Sequence, residues 1–224
     1  RQREFPVCAG KVYLAHAGVS PVPACVTRAV QETAAAAALD DQEEGLGDLL
    51  RSTRARAAEI LGADVGEVAL IGPTTAGLSA VAAGLDWQTG DEVLIYQDDF
   101  PVNVYPWLAL ETRGVTVRRL QTPVLGHITP ELVLEQLTDK TRLVALASCH
   151  FVSGWRIDHD AIGRELRARD ILFCLDAIQT LGAFPTTVEH VDFLAADAHK
   201  WLLGPCAAGV FYVRRDLQDR LAPQ

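Results

Sequence analysis

The sequence predicts an α/β domain built on a mostly parallel central sheet, and three observations carry that prediction. From residue 68 onward, short apolar runs alternate with segments of helical periodicity. The runs at 92–96, 142–147, 171–175 and 192–196 are nearly continuous in apolar residues, as strands covered on both faces require. The chain has 224 residues, 49% hydrophobic and 22% charged, which is enough to bury a sizeable core and is unlike a disordered composition.

Each element has its own signal. Residues 23–61 are helix-forming and include five consecutive alanines at 34–38, while Gly45 and Gly47 divide the stretch into two helices. A buried strand at 68–71 leads through Gly72-Pro73-Thr74-Thr75 into an apolar helix that runs to Leu85. Thr89-Gly90-Asp91 announces the strand at 92–96, and a helix over 103–112 ends at Gly114 before a strand at 115–120. Pro130 opens a helix at 131–137, followed by the strand at 142–147. Asp158 caps a helix expected to reach Arg169, and strands follow at 171–175, 192–196 and 210–213. The expected division is an N-terminal helical segment, 1–66, packing on a large α/β domain, 67–224.

Composition excludes several function classes. A net charge of −9 argues against a nucleic-acid or anionic-membrane partner, because both need a basic surface. No run of about 18 apolar residues occurs, and the longest candidate, 201–213, is broken by Gly204-Pro205. The first residues lack the apolar core of a signal peptide. Five scattered cysteines show no zinc spacing, and an odd count fits a reducing cytoplasm. Gly45-Leu46-Gly47 lacks the third glycine of a dinucleotide fingerprint and follows a helix; no P-loop or G-x-S-x-G occurs.

Four features carry chemistry. Of 20 basic residues only three are lysines, yet one, Lys200, lies in the apolar stretch Ala195-Ala196-Asp197-Ala198-His199-Lys200-Trp201-Leu202. Desolvation there would free the amine's lone pair for imine formation; the other reading is a lysine that snorkels to the surface. Asp176 ends the apolar run Ile171-Leu172-Phe173-Cys174-Leu175, at the carboxyl edge of a parallel sheet where ligands bind. It would pair a buried cation such as a protonated pyridine nitrogen, or cap the following turn. Gly72-Pro73-Thr74-Thr75-Ala76-Gly77 places free N–H groups at a helix start, an anion cradle or a plain turn. Phe100, after the strand at 92–96, is a core aromatic or a stacking surface for a flat ring. Together these four features make up the inventory that pyridoxal 5′-phosphate requires.

The sequence resembles the class V aminotransferases, the fold-type I group of pyridoxal-phosphate enzymes that includes cysteine desulfurases and isopenicillin-N-epimerase-like proteins. The matching segments are Tyr13-Leu14-Ala15-His16-Ala17-Gly18, Thr74-Thr75-Ala76-Gly77-Leu78, Gly90-Asp91-Glu92-Val93 and Phe100-Pro101-Val102-Asn103-Val104-Tyr105-Pro106-Trp107. Asp176-Ala177-Ile178-Gln179 and Asp197-Ala198-His199-Lys200-Trp201-Leu202-Leu203-Gly204-Pro205 complete the set, in the family's order. The resemblance implies that Lys200 carries the cofactor as an imine and shuttles protons, and that Asp176 holds the pyridinium. Gln179 would bond the phenolic oxygen; Thr75, the N–H groups around Ala76, and His199 would hold the phosphate, with Asp197 beside them. Phe100 takes the stacking place that is usually histidine in desulfurases, and Phe151 falls where they often carry asparagine. Cys206-Ala207-Ala208-Gly209 stands for a loop usually written with one more glycine. His16 is a candidate substrate contact.

The resemblance also implies a cytoplasmic homodimer acting on an amino acid through an external aldimine, as an aminotransferase or a cysteine desulfurase/selenocysteine lyase-like enzyme. The alternatives are an isopenicillin-N-epimerase-like epimerase or lyase, and a non-catalytic remnant of the fold serving as a binding module. The absence of methionine and the length predict a chain short of one domain, with the small C-terminal domain, its substrate-carboxylate arginine and any catalytic cysteine loop lying beyond Gln224.

Overall fold

A computed structural model describes residues 3–39, 41–43 and 45–222. Seven strands form one sheet: β1 (Val68–Ile71), β2 (Glu92–Tyr96), β3 (Thr116–Leu120), β4 (Thr141–Ala147), β5 (Leu172–Asp176), β6 (Phe193–Asp197) and β7 (Gly209–Val213). Their order across the sheet is β1-β7-β6-β5-β4-β2-β3. β2 to β6 pair in parallel, and β7 runs antiparallel between β6 and β1. All strands but β7 therefore point their carboxyl ends to the same edge.

The continuous apolar runs come from burial on both faces. In β5, Phe173 and Leu175 enter one core while Leu172 and Cys174 enter the other; in β2, Leu94 and Tyr96 divide in the same way from Val93 and Ile95. One core is closed by α2 (Leu46–Leu61), α5 (Pro130–Glu135) and α6 (His159–Arg167), through Ala57, Leu61, Val133, Ile162 and Leu166. The other is closed by α3 (Thr74–Gly84) and α4 (Tyr105–Leu108), through Leu78, Val81 and the fully buried Trp107. Gly77 lets α3 lie close on the sheet, since a Cβ there would sit 2.8 Å from Ala195 Cβ and 3.0 Å from Phe211 Cδ2.

The structure departs from the sequence periodicity in three places. The helix expected over 103–112 is α4 flanked by 3-10 turns at Pro101–Asn103 and Ala109–Arg113, because Pro101 and Pro106 each restart the backbone and remove a donor. The helix capped by Asp158, whose side chain accepts from Ala161 N at 3.0 Å, stops at Arg167 because Asp170 is left-handed at φ 57°. In the N-terminal region, α1 (Ala24–Ala37) buries no side chain, whereas α2 packs its last turn on β1. Gly45, at φ 78°, starts α2 as a separate helix. Residues 17–20 cross to the carboxyl edge instead, where Ser20 N donates to His199 O at 2.8 Å.

Candidate functional site

Five strand ends meet at one cleft of about 560 Å³. It is lined by the turns after β1 (Pro73, Thr74, Thr75), β2 (Asp99, Phe100), β4 (Ala147, Cys149, Phe151), β5 (Asp176, Ile178, Gln179) and β6 (Asp197, His199, Lys200). The extended segment Ala17-Gly18-Val19 closes one side. This is the edge at which open α/β sheets bind ligands.

Asp176 is the last residue of β5, paired in register with Ala147 of β4 and Ala195 of β6. Those two ladders fix its backbone, and its side chain is 2% exposed. One oxygen accepts from Ile178 N at 3.0 Å. Burial, reinforced by the Asp99 charge, pushes its carboxyl up to about 7, with the Ile178 N–H and the Lys200 charge pulling the other way. A carboxylate in that position gains most from a cationic hydrogen-bond donor entering the cleft.

Lys200 follows β6 on a loop closed by Ala198 N to Ala208 O at 2.7 Å and Gly204 N to Ala198 O at 2.8 Å. The side chain is 8% exposed rather than snorkelled, and Nζ lies 5.6 Å from the centre of the Phe100 ring. Burial lowers the amine's pKa, partly offset by the charges of Asp176 and Asp197. The loop holds two non-glycine residues in the left-handed region, Leu203 at φ 59° and Ala207 at φ 64°. Ala207 is in the segment where the family pattern has one more glycine.

Helix α3 begins at the cleft. The Thr74 hydroxyl accepts from Asp197 N at 2.9 Å, tying the helix start to the end of β6. Thr75 is exposed and lines the cleft. Among the described residues no protein acceptor meets the N–H groups of Thr74 and Thr75, which leaves them for an anion. Ala76 differs from expectation: its N–H is already bonded to Pro73 O at 2.8 Å, and it is not among the lining residues. His199 lies beside Asp197, with Nδ1 2.9 Å from Oδ1.

Gln179 is anchored at both ends: Nε2 donates to Ala17 O at 3.0 Å, and Oε1 accepts from Trp201 Nε1 at 3.1 Å. One amide hydrogen remains for a ligand. His16 is stacked on Trp201, ring centres 5.3 Å apart, and is not among the lining residues. It braces the indole that orients Gln179.

Two residues of the site received no role in the sequence reading, Asp99 and His150. Asp99 is 7% exposed and lines the cleft; its Oδ1 accepts from Phe100 N at 2.7 Å, and its Oδ2 from Asn103 Nδ2 at 3.0 Å and Ala147 N at 3.1 Å. The signal that singled out Asp176, a carboxylate following a buried strand, applies equally after β2. His150 joins the loops that carry Phe100 and Phe151: Nε2 donates to Asp98 O at 3.0 Å and Nδ1 accepts from Ser153 N at 3.1 Å. A carbonyl only accepts, so the proton is on Nε2. Nothing in the spacing of the sequence marks this contact.

The cleft thus offers a desolvated amine, a buried carboxylate, helix N–H groups without a protein acceptor among the described residues, and an aromatic face. The residues present fit a flat anionic ring with a cationic ring nitrogen and an aldehyde. Among the described residues, no group of three or more metal-ligating side chains occurs, and no helix is long and apolar enough to cross a membrane.

The family model described as "Aminotransferase class-V" matches residues 12–224. A probable cysteine desulfurase of Methanothermobacter thermautotrophicus is 30% identical over 230 residues, covering 99% of this chain and 58% of its own length. Among solved structures, a C-DES mutant with glycine covalently linked to the PLP cofactor superposes with TM-score 0.93 at 24% identity, over 100% of this chain and 62% of the other. An apo cysteine desulfurase from Thermococcus onnurineus NA1 gives 0.91 at 22% identity, over 99% and 58%. At these identities the superpositions establish the fold, and the chain spans about three fifths of each protein's length.

Proposed function

Since the chain belongs to the class V aminotransferase family, we propose that it is the cofactor-binding part of a pyridoxal-phosphate enzyme that acts on an amino acid. The observation that carries this reading is the convergence of a buried lysine and a buried aspartate, from neighbouring strand ends, on one cleft walled by Phe100. Asp176 would hold the ring nitrogen, Phe100 the ring face, and Lys200 the aldehyde carbon. Thr75, His199 and the free N–H groups of Thr74 and Thr75 would hold the phosphate, and Gln179 the phenolic oxygen.

When bound, the cofactor supplies an electron sink that acidifies the substrate's α-carbon. The chain's own residues then divide the remaining work. Lys200 Nζ, with its pKa lowered by burial, takes and returns a proton near neutral pH more readily than an ordinary lysine. Asp176 keeps the ring nitrogen charged through a charge-assisted hydrogen bond. Phe100 has no titratable group, so proton movement on that side of the cleft falls to Lys200. His150, hydrogen-bonded to Asp98 O and Ser153 N between two loops, positions the wall.

Within the family, Phe100 and Phe151 favour the aminotransferase or epimerase-like branch over a dedicated desulfurase. These two departures from the desulfurase pattern meet edge to face at 5.3 Å and make that wall apolar. A homodimer is supported by unpartnered apolar side chains on the N-terminal helices, among them Val30, Leu46, Leu49 and Leu50.

The test is reconstitution with pyridoxal phosphate followed by borohydride reduction and peptide mapping. The expected product is cofactor fixed to Lys200, with Lys200→Ala losing the visible absorption band. Labelling at Lys11 or Lys140, or no band at all, overturns the assignment. Light scattering of the reconstituted protein should give twice the chain mass.

A further inference from the structure

Besides Asp176 and Asp197, the cleft holds a third buried carboxylate, Asp99. Asp99 follows β2, and Asp176 ends β5; β4 lies between the two strands and its last residue, Ala147, links them. Ala147 N donates to Asp99 Oδ2 at 3.1 Å, and Ala147 is the register partner of Asp176. Both carboxylates are buried and line the same cavity.

Their hydrogen bonding is unequal. Asp99 receives three N–H donors, from Phe100, Asn103 and Ala147, and Asn103 is itself held by Trp107 Nε1 at 3.3 Å. Asp176 receives one, from Ile178. Every one of these Asp99 contacts is a donor, so the set suits an anion; a protonated carboxyl would have to redirect its hydrogen. When two buried carboxylates share a site, the proton settles on the one with fewer donors. That one is Asp176.

We propose that Asp99 is a positioning residue that acts through Asp176: its negative charge opposes loss to solvent of the proton shared between Asp176 and the ring nitrogen that Asp176 faces. This rests on the reading of the cleft as a pyridoxal-phosphate site. Burial raises both carboxyls; the three N–H donors work against that rise at Asp99, which still lies above its ordinary value, and the Asp99 charge adds to the rise at Asp176. The other charged or titratable groups around the pair are Lys200, which opposes the rise at Asp176, Asp197 on the Lys200 side of the cleft, and Cys174 and Cys149, whose thiols burial pushes up.

Two measurements test the assignment. In protein reconstituted with ring-15N pyridoxal phosphate, the nitrogen's chemical shift is followed from pH 7 upward. Asp99→Asn, neutral and equal in shape, should lose the ring proton at a pH about one unit lower than wild type, the order expected of removing one buried neighbouring charge. Asp99→Glu should restore the wild-type profile. A role limited to bracing the loop would change affinity or stability and leave that pH unmoved, and this result overturns the proposal. In the cofactor-free protein, the part of the urea midpoint's pH dependence that Asp176→Asn removes reports Asp176, and Asp99→Asn should move the upper limit of that part down by a similar amount. If Asp99→Asn does not fold, Asp99→Ser keeps an oxygen near Phe100 N–H and serves both measurements. Failure of wild type to bind the cofactor overturns the functional reading and this proposal with it. Cofactor binding with an unchanged nitrogen profile overturns the proposal alone.

Discussion

Asp176 gives the clearest residue-scale prediction. Its carboxyl sits at about 7 in the folded protein against an ordinary value of 3.8. The folded state therefore binds the proton more tightly than the unfolded chain. Its contribution to stability is complete below pH 4 and is lost as pH rises to 7, by on the order of 4 kcal/mol. In cofactor-free protein the urea midpoint should fall over that range, and Asp176→Asn should flatten that part of the profile; identical curves would sink the assignment. Ala207 gives a second. A left-handed alanine costs about 1–2 kcal/mol, and the extra unfolded-chain entropy of glycine costs about 0.4–1 kcal/mol. With φ at 64°, the strain wins, and Ala207→Gly should raise the denaturation midpoint by the equivalent of about 0.5–1 kcal/mol. At this scale the sequence exposed residues whose type conflicts with their surroundings, such as the rare lysine in an apolar stretch. Asp99 carries the same signal as Asp176, yet its significance lies in the partners Asn103 and Ala147, and only folding supplies Ala147.

At the scale of elements, packing decides against propensity at Gly77. In an isolated helix alanine is preferred to glycine by about 1 kcal/mol. Here a Cβ would press on Ala195 and Phe211, both held in the sheet, and such overpacking costs about 1–3 kcal/mol. Gly77→Ala should destabilise by about 1 kcal/mol in urea unfolding; a gain in stability would show that α3 can shift outward. Loss of the Asp158 cap in Asp158→Ala should cost α6 about 1 kcal/mol, read in the same way. The strands were legible within a residue or so at each end because burial on both faces leaves continuous apolar runs. The broken helix at 101–113 was not, because its prolines sit at positions where a helix start tolerates them.

For the whole molecule, the cofactor should act as a folding ligand. At a free concentration one hundred times its dissociation constant it adds about 2.7 kcal/mol, a rise in Tm of several degrees, and Lys200→Ala should lose most of that shift. Calorimetry with and without pyridoxal phosphate checks it. The sequence by itself determined the α/β class, the order of its elements, the family pattern and the two residues, Lys200 and Asp176, on which the proposed chemistry turns. These are encoded locally, in hydrophobic periodicity and in polar residues placed where apolar ones would otherwise stand. Only the tertiary structure decided which side chains share the cleft: that Asp99 enters it, that Ala76 spends its N–H on Pro73, and that His16 braces Trp201 instead of lining the cavity. The reason is topological. The strand order brings together the ends of β1, β2, β4, β5 and β6, so the neighbours that set each group's charge and hydrogen bonding are tens of residues away in the chain.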